Sequence, residues 1–179
     1  MRIPKNLPNA LTMFRFALVI VFVWVFFKGA NLWALFIYLF AGATDVLDGY
    51  LSRKYNLISN FGKVMDPLAD KTMTFTLLVC FYIDHRIHLL ALILFFLNEA
   101  LMVIGGILLY KRKYVVSADK YGKIAAAVTF SALVFTFFHS ALFPFDTILL
   151  YVSLGFTYIA MLWYIRKTQI IARVFGNLK

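Results

Sequence analysis

Eight acidic side chains occur in this 179-residue chain, and four of them fall between residues 45 and 70. Asp45 and Asp48 stand three residues apart, and Asp66 and Asp70 four apart. On a helix either spacing stacks two carboxylates on one face, about a turn from each other. A helix running through Asp45 and Asp48 also puts Gly49 and Ser52 close to that face. The stretch 54–62 lets a second helix return antiparallel, so that both acidic faces meet at one level. A single acid of this kind is explained by a Lys or Arg partner at a membrane interface. Four converging carboxylates repel one another unless cations sit among them. Hard oxygen donors suit Mg2+ or Mn2+, and several carboxylates can bridge two ions. With Arg53, Lys63 and Lys71 close by, such a centre would seat a diphosphate. Gly49 would admit a ligand, or a neighbouring helix, close to the backbone.

The elements that must carry these residues follow from composition. The chain is 63% hydrophobic and 15% charged, with a mean hydropathy of +0.85. A soluble domain is about half apolar and about one quarter charged, so a soluble globule, a disordered chain and a disulfide scaffold are excluded. Six apolar stretches, about 11–27, 32–50, 67–83, 87–110, 121–143 and 147–165, approach the roughly 20 residues that cross a bilayer core. Each is expected to be a helix, since backbone polar groups have no water to bond in lipid. Residues 2–10 read as a short interfacial segment. Nothing in the pattern separates a second domain, and residues 1–179 are expected to form one membrane domain.

The net charge of +10 is an orientation signal before it suggests any nucleic-acid partner, and none is expected. Lys and Arg gather at the N-terminus, around 53–71, around 111–123 and at the C-terminus. Only Lys28 and Arg86 fall in the alternate connections. That bias places both termini and the acidic cluster on the cytoplasmic side of a multi-pass protein of the cell membrane. Cys80 has no intramolecular partner, and His85, His88 and His139 lack metal-pair spacing and read as interfacial or loop residues.

The run Asp45-x-x-Asp48-Gly49-x-x-Ser52-Arg53, eight residues, then Gly62-x-x-x-Asp66-x-x-x-Asp70 resembles the signature of the CDP-alcohol phosphatidyltransferases. Ser52 stands where that family usually has Ala. The resemblance implies a six-helix membrane transferase with two Mg2+ or Mn2+ ions held by Asp45, Asp48, Asp66 and Asp70. It further implies that Asp70 is the general base on an incoming alcohol, and that Gly49, Ser52 and Arg53 lie against the donor CDP-diacylglycerol. Asn9, Thr12 and Arg15 look like the family's N-terminal nucleotide-side segment. CMP would leave as the alcohol attacks the phosphorus next to diacylglycerol.

The start of the chain and the run 62–71 look most like the bacterial phosphatidylglycerophosphate synthases of that family, which implies glycerol 3-phosphate as acceptor. Lys111, Lys120 and Lys123 lie on the expected side to meet its phosphate. Asn98-Glu99 stands where many of those enzymes have Arg-Glu, and Gly122-Lys123-Ile124-Ala125 lacks their second Lys. Fewer fixed cations leave open a cardiolipin synthase of the same fold, with phosphatidylglycerol as acceptor. A non-enzymatic ion or proton carrier would spread its acids through the membrane's depth, whereas these four share one level. Glu99, alone in mid-span, is expected to face the helix bundle. The Gly105-Gly106 pair marks close helix packing, within the chain or across a homodimer.

Overall fold

The described residues outside the turns are all helical. In the computed structural model the described backbone covers residues 7–55, 62–111 and 120–176; side chains are described within these ranges except at 7–9, 11, 48, 51–53, 62–67, 70, 106–111 and 167–176. The helices are α1 (Leu7–Phe27), α2 (Asn31–Lys54), α3 (Gly62–Ile83), α4 (Leu89–Lys111), α5 (Lys120–Thr136), the single turn α6 (His139–Leu142) and α7 (Phe145–Gly176). They fall into two compact units, Met1–Asp84 and His85–Lys179. In the first, α1 packs on α2 and α3, which also touch each other. In the second, α7 packs on α4 and α5.

Each helix buries one narrow stripe. On α1 it is Thr12, Arg15, Val19, Phe22 and Phe26, an alternation of three and four residues that keeps one seam toward its neighbours. Phe26 meets Phe81 of α3 edge-on, with ring centroids 5.9 Å apart. Ala34, Ala41, Ala69, Ala91, Ala125 and Ala132 are buried on the seams of α2 to α5. Small seam residues let helix backbones approach, which is how helices associate where the surroundings are already apolar. In the second unit Tyr158 of α7 donates a hydrogen bond to the Leu94 carbonyl of α4 at 3.0 Å.

The opposite faces stay open. Trp24, Trp33, Phe36, Ile148 and Trp163 are exposed, as expected of surface that lipid would cover. Lys28 sits over the Trp24 ring at 5.7 Å, and Lys54 over Tyr50 and Tyr55 at 5.3 and 5.6 Å. Such pairings of cation and aromatic ring suit a membrane–water boundary. Between them α1 turns into α2 at Gly29, whose φ of +76° is the left-handed conformation that ends helices on glycine. Its N–H donates to the Phe26 carbonyl at 2.9 Å.

The elements depart from the sequence reading in four places. The stretch 121–143 is not one helix: α5 stops at Thr136, and α6 and Pro144 intervene before α7. α7 instead runs for 32 residues, well beyond 147–165. Residues 7–10 of the expected interfacial segment already belong to α1, and 2–6 lie outside the described residues. α3 begins at Gly62, before the expected stretch 67–83, so Pro67 stands beyond its first turn, where it has no N–H for the Lys63 carbonyl. By length and composition one helix, Phe145–Arg166, is apolar enough to cross a membrane among the described residues. The other uninterrupted apolar segments, Thr12–Phe27, Asn31–Leu47, Lys71–Ile83 and Leu89–Gly105, are 10–17 residues long.

Candidate functional site

The acids are positioned by helix continuation. α2 does not stop at its apolar run but continues through Asp45 and Asp48 to Lys54. α3 opens at Gly62 and carries Asp66 and Asp70 in its first nine residues. Only residues 55–61 join the two helices, so the last turns of α2 and the first turns of α3 lie at the same end of this unit. Within each helix the expected spacing holds, with Asp48 a turn beyond Asp45 and Asp70 a turn beyond Asp66. The side chains of Asp48, Asp66, Asp70, Ser52 and Arg53 lie outside the described residues. Gly49 is half-buried on α2.

Asp45 shows how this end is built. Arg15 reaches from the third turn of α1, and its Nη1 lies 2.7 Å from Asp45 Oδ1. The Arg15 side chain is 1% exposed and that of Asp45 41%. A buried guanidinium is always charged, and withdrawing it from water costs several kcal/mol unless a carboxylate answers it. One oxygen of Asp45 answers it here, while much of the carboxylate remains accessible. Beside it Thr44 donates its hydroxyl to the Ala41 carbonyl at 2.7 Å, which settles that side chain on the helix.

The remaining expected site residues divide by burial. Thr12 lies a turn before Arg15 and is fully buried on the α1 seam. Asn9 belongs to α1, with its side chain outside the described residues. Lys120 and Lys123 are exposed in the first turn of α5; Lys111 ends α4, its side chain likewise outside the described residues. On α4 the buried member of the mid-span pair is Asn98, at 4% exposure, with Glu99 only half-buried. A Cβ added at Gly105 would lie 3.9 Å from Tyr164, so α4 and α7 run side by side there at ordinary contact distance.

Sequence reasoning missed two polar arrangements in the second unit. His139 Nδ1 lies 2.6 Å from Asp146 Oδ2, tying the turn α6 to the start of α7. The Asp146 side chain is 1% exposed and that of His139 25%. An acid in the first turn of a helix also complements its dipole. Nearby, Arg86 Nη1 donates to the Phe137 carbonyl at 2.9 Å, with the Thr136 carbonyl at 3.5 Å. This guanidinium therefore caps carbonyls that α5 leaves unpaired at its end. The only signal for it was that Arg86 is a cation on the sparsely charged side.

Among the described residues no group of three or more His, Cys, Asp or Glu is gathered as a metal site. The donor set of the first unit nonetheless fits a hard divalent cation. It supplies carboxylate oxygens alone, from one end of two joined helices, and the described member, Asp45, is accessible.

The family model for CDP-alcohol phosphatidyltransferase matches residues 5–159. A protein of Aquifex aeolicus named CDP-diacylglycerol–glycerol-3-phosphate 3-phosphatidyltransferase is 37% identical over 120 residues, 66% of this chain and 67% of that protein. A Bacillus subtilis protein of the same name is 30% identical over 183 residues, covering 90% of this chain and 94% of its own length. The Rickettsia bellii protein of that name is 42% identical over 76 residues, and there the match spans 42% of its length.

Proposed function

This chain belongs to the CDP-alcohol phosphatidyltransferase family, and from that premise we propose that it transfers a phosphatidyl group from CDP-diacylglycerol to glycerol 3-phosphate, releasing CMP. The observation that carries the reading is the placement of Asp45 and Asp48 at the end of α2 and Asp66 and Asp70 at the start of α3. The names of the relatives in Aquifex and Bacillus support glycerol 3-phosphate as the acceptor.

The family is membrane-associated and uses divalent metal ions. Asp45, Asp48, Asp66 and Asp70 would hold two such ions, Mg2+ or Mn2+. When bound, the ions would offset the diphosphate charge and stabilise the attacking and leaving oxygens. Gly49, Ser52 and Arg53 follow Asp48 on the same helix and would meet the CDP part of the donor, with Asn9 and Thr12 on its nucleotide side. Asp70 would take the proton of the acceptor hydroxyl as its oxygen bonds to the phosphatidyl phosphorus. The bond from that phosphorus to the CMP oxygen breaks, and CMP carries the pair away. Lys120 and Lys123, exposed on α5, and Lys111 at the end of α4 would meet the acceptor's phosphate.

We place α1 to α5 and α7 across the membrane as six spans, with both termini and the acids on the cytoplasmic side. The charge bias along the sequence supports this, as do Lys28 on Trp24 and Lys54 between Tyr50 and Tyr55 near opposite ends of α1 and α2. At about 1.5 Å per residue, the 24 residues of α2 extend about 36 Å, enough for a core of about 30 Å. Because the family match runs through both units, we treat residues 1–179 as one membrane domain; we further propose that it works as a homodimer.

The test supplies purified chain, Mg2+ and CDP-diacylglycerol with either glycerol 3-phosphate or phosphatidylglycerol, and identifies the lipid product. Phosphatidylglycerophosphate and CMP are expected from the first acceptor alone. Cardiolipin from the second would move the assignment to that acceptor. CMP release with neither would overturn the reading.

A further inference from the structure

We infer that Arg15 is a positioning residue: from inside the first unit it fixes the Asp45 carboxylate in the orientation that receives a divalent cation. The inference rests on the reading of Asp45 as a metal ligand and goes beyond it, since Arg15 would be grouped by its sequence neighbourhood with residues that touch the nucleotide. Its burial decides between the two roles. With its side chain 1% exposed, the guanidinium has no surface to give a diphosphate, and it lies on the seam that joins α1 to its neighbours.

The geometry suits positioning. A carboxylate on an exposed helix face samples several rotamers, and each must be lost when a metal binds. The 2.7 Å contact from Arg15 Nη1 to Asp45 Oδ1 removes that freedom beforehand, while the carboxylate keeps 41% of its side-chain surface. The rigid guanidinium, buried on the seam, keeps its Nη1 and the oxygen beside it in place, which the compact charge of lysine on a flexible stem does not. Partners that orient a metal's ligands are typically worth about 10–100-fold in metal affinity.

An opposing effect has to be weighed. A fixed positive charge beside a cation site repels the incoming ion. If repulsion dominated, removing the charge would tighten metal binding; if positioning dominates, removing the guanidinium weakens binding whether or not the charge stays. Arg15→Gln and Arg15→Lys separate these two outcomes.

The experiment measures Mn2+ binding by electron paramagnetic resonance on the full chain in phosphatidylglycerol-containing nanodiscs, without nucleotide or acceptor. It compares the unaltered chain with Arg15→Lys, Arg15→Gln and Asp45→Asn. Both Arg15 variants are expected to bind Mn2+ about 10–100-fold more weakly. In turnover the metal requirement rises by a similar factor, and saturating metal restores kcat with the KM for CDP-diacylglycerol unchanged. Unaltered Mn2+ affinity with a raised KM for CDP-diacylglycerol would overturn the inference and make Arg15 a substrate contact. A lowered melting temperature with unaltered Mn2+ affinity would overturn it in favour of a purely structural role, and tighter binding by Arg15→Gln would show repulsion in command. Should Arg15→Gln fail to fold, Arg15→Lys, which keeps the charge, decides alone. Wild-type affinity in Asp45→Asn would instead remove the metal-ligand reading of Asp45, a failure distinguishable from that of Arg15.

Discussion

Two carboxylates in this chain meet a basic side chain at nearly the same distance, and their burial is reversed. At Asp45 the base, Arg15, is buried and the acid is 41% exposed. At Asp146 the acid is 1% exposed and its partner, His139, is 25% exposed. The contact lengths, 2.7 and 2.6 Å, do not tell them apart. What differs is which partner keeps access to its surroundings. An accessible carboxylate held from behind by a buried cation is ready for a further ligand. A buried carboxylate with one oxygen pinned by histidine at the start of α7 is closed off from its surroundings, and there it joins α6 to α7. In the function proposed above the first arrangement serves chemistry and the second serves architecture, and each can be tested against the other.

The largest separation is expected on removing metal. Excess EDTA should abolish CMP release by the full chain, and added Mg2+ or Mn2+ should restore it, while the His139–Asp146 tie stays intact. Activity surviving excess chelator would leave the acids of α2 and α3 with no role that His139–Asp146 lacks. The next effect is Asp70→Asn, which should lower CMP release by about 10^2–10^4-fold, the range of a lost general base. The melting temperature should stay near that of the parent chain. Near-normal turnover by this variant, with metal present, would remove Asp70 from the chemistry.

The sequence made the helical placement of the four acids legible and left the ties between elements dark. Asp45, Asp48, Asp66 and Asp70 could be read because helical spacing makes a local pattern from residues close in the chain. Membrane character was legible for a similar reason, since composition and the placement of Lys and Arg are sums over the sequence. The Arg15–Asp45 contact joins residues 30 positions apart on different helices, and no periodicity within α1 names its partner. The stripe Thr12, Arg15, Val19, Phe22, Phe26 was nevertheless present in the spacing. A charged residue on an otherwise apolar seam was the available clue that Arg15 points inward. The break after Thr136 was hidden because hydropathy stays high through α6, although helix continuity does not. His139 and Asp146 are joined only because the chain folds back across that break.

A smaller, purely structural effect should follow at the second pair. Asp146→Asn replaces the carboxylate partner of His139 by an amide, which should cost about 1–3 kcal/mol of stability. Thermal unfolding in detergent would measure it. Mn2+ affinity and kcat at a temperature where the variant is folded should match the parent chain. Lost Mn2+ affinity in the folded variant would erase the distinction between the two carboxylates.

The smallest expected change sharpens the same distinction at Arg86. Its guanidinium donates to the Phe137 carbonyl at 2.9 Å, so its work is to satisfy the end of α5 rather than to meet a ligand. Arg86→Gln keeps a shorter donor and loses the charge that favours a helix C-terminus, a change worth about 0.3–1 kcal/mol. Unfolding should therefore move by only a few degrees, and turnover at saturating metal and glycerol 3-phosphate should not change. Arg86→Ala, which also removes the donor, should cost more than Arg86→Gln, because the Phe137 carbonyl then loses this partner. Equal stability of the two variants would show that the contact contributes charge alone. A fall in kcat in either folded variant would show that this part of the second unit takes part in the chemistry, and the contrast with Asp45 would then rest on burial without function.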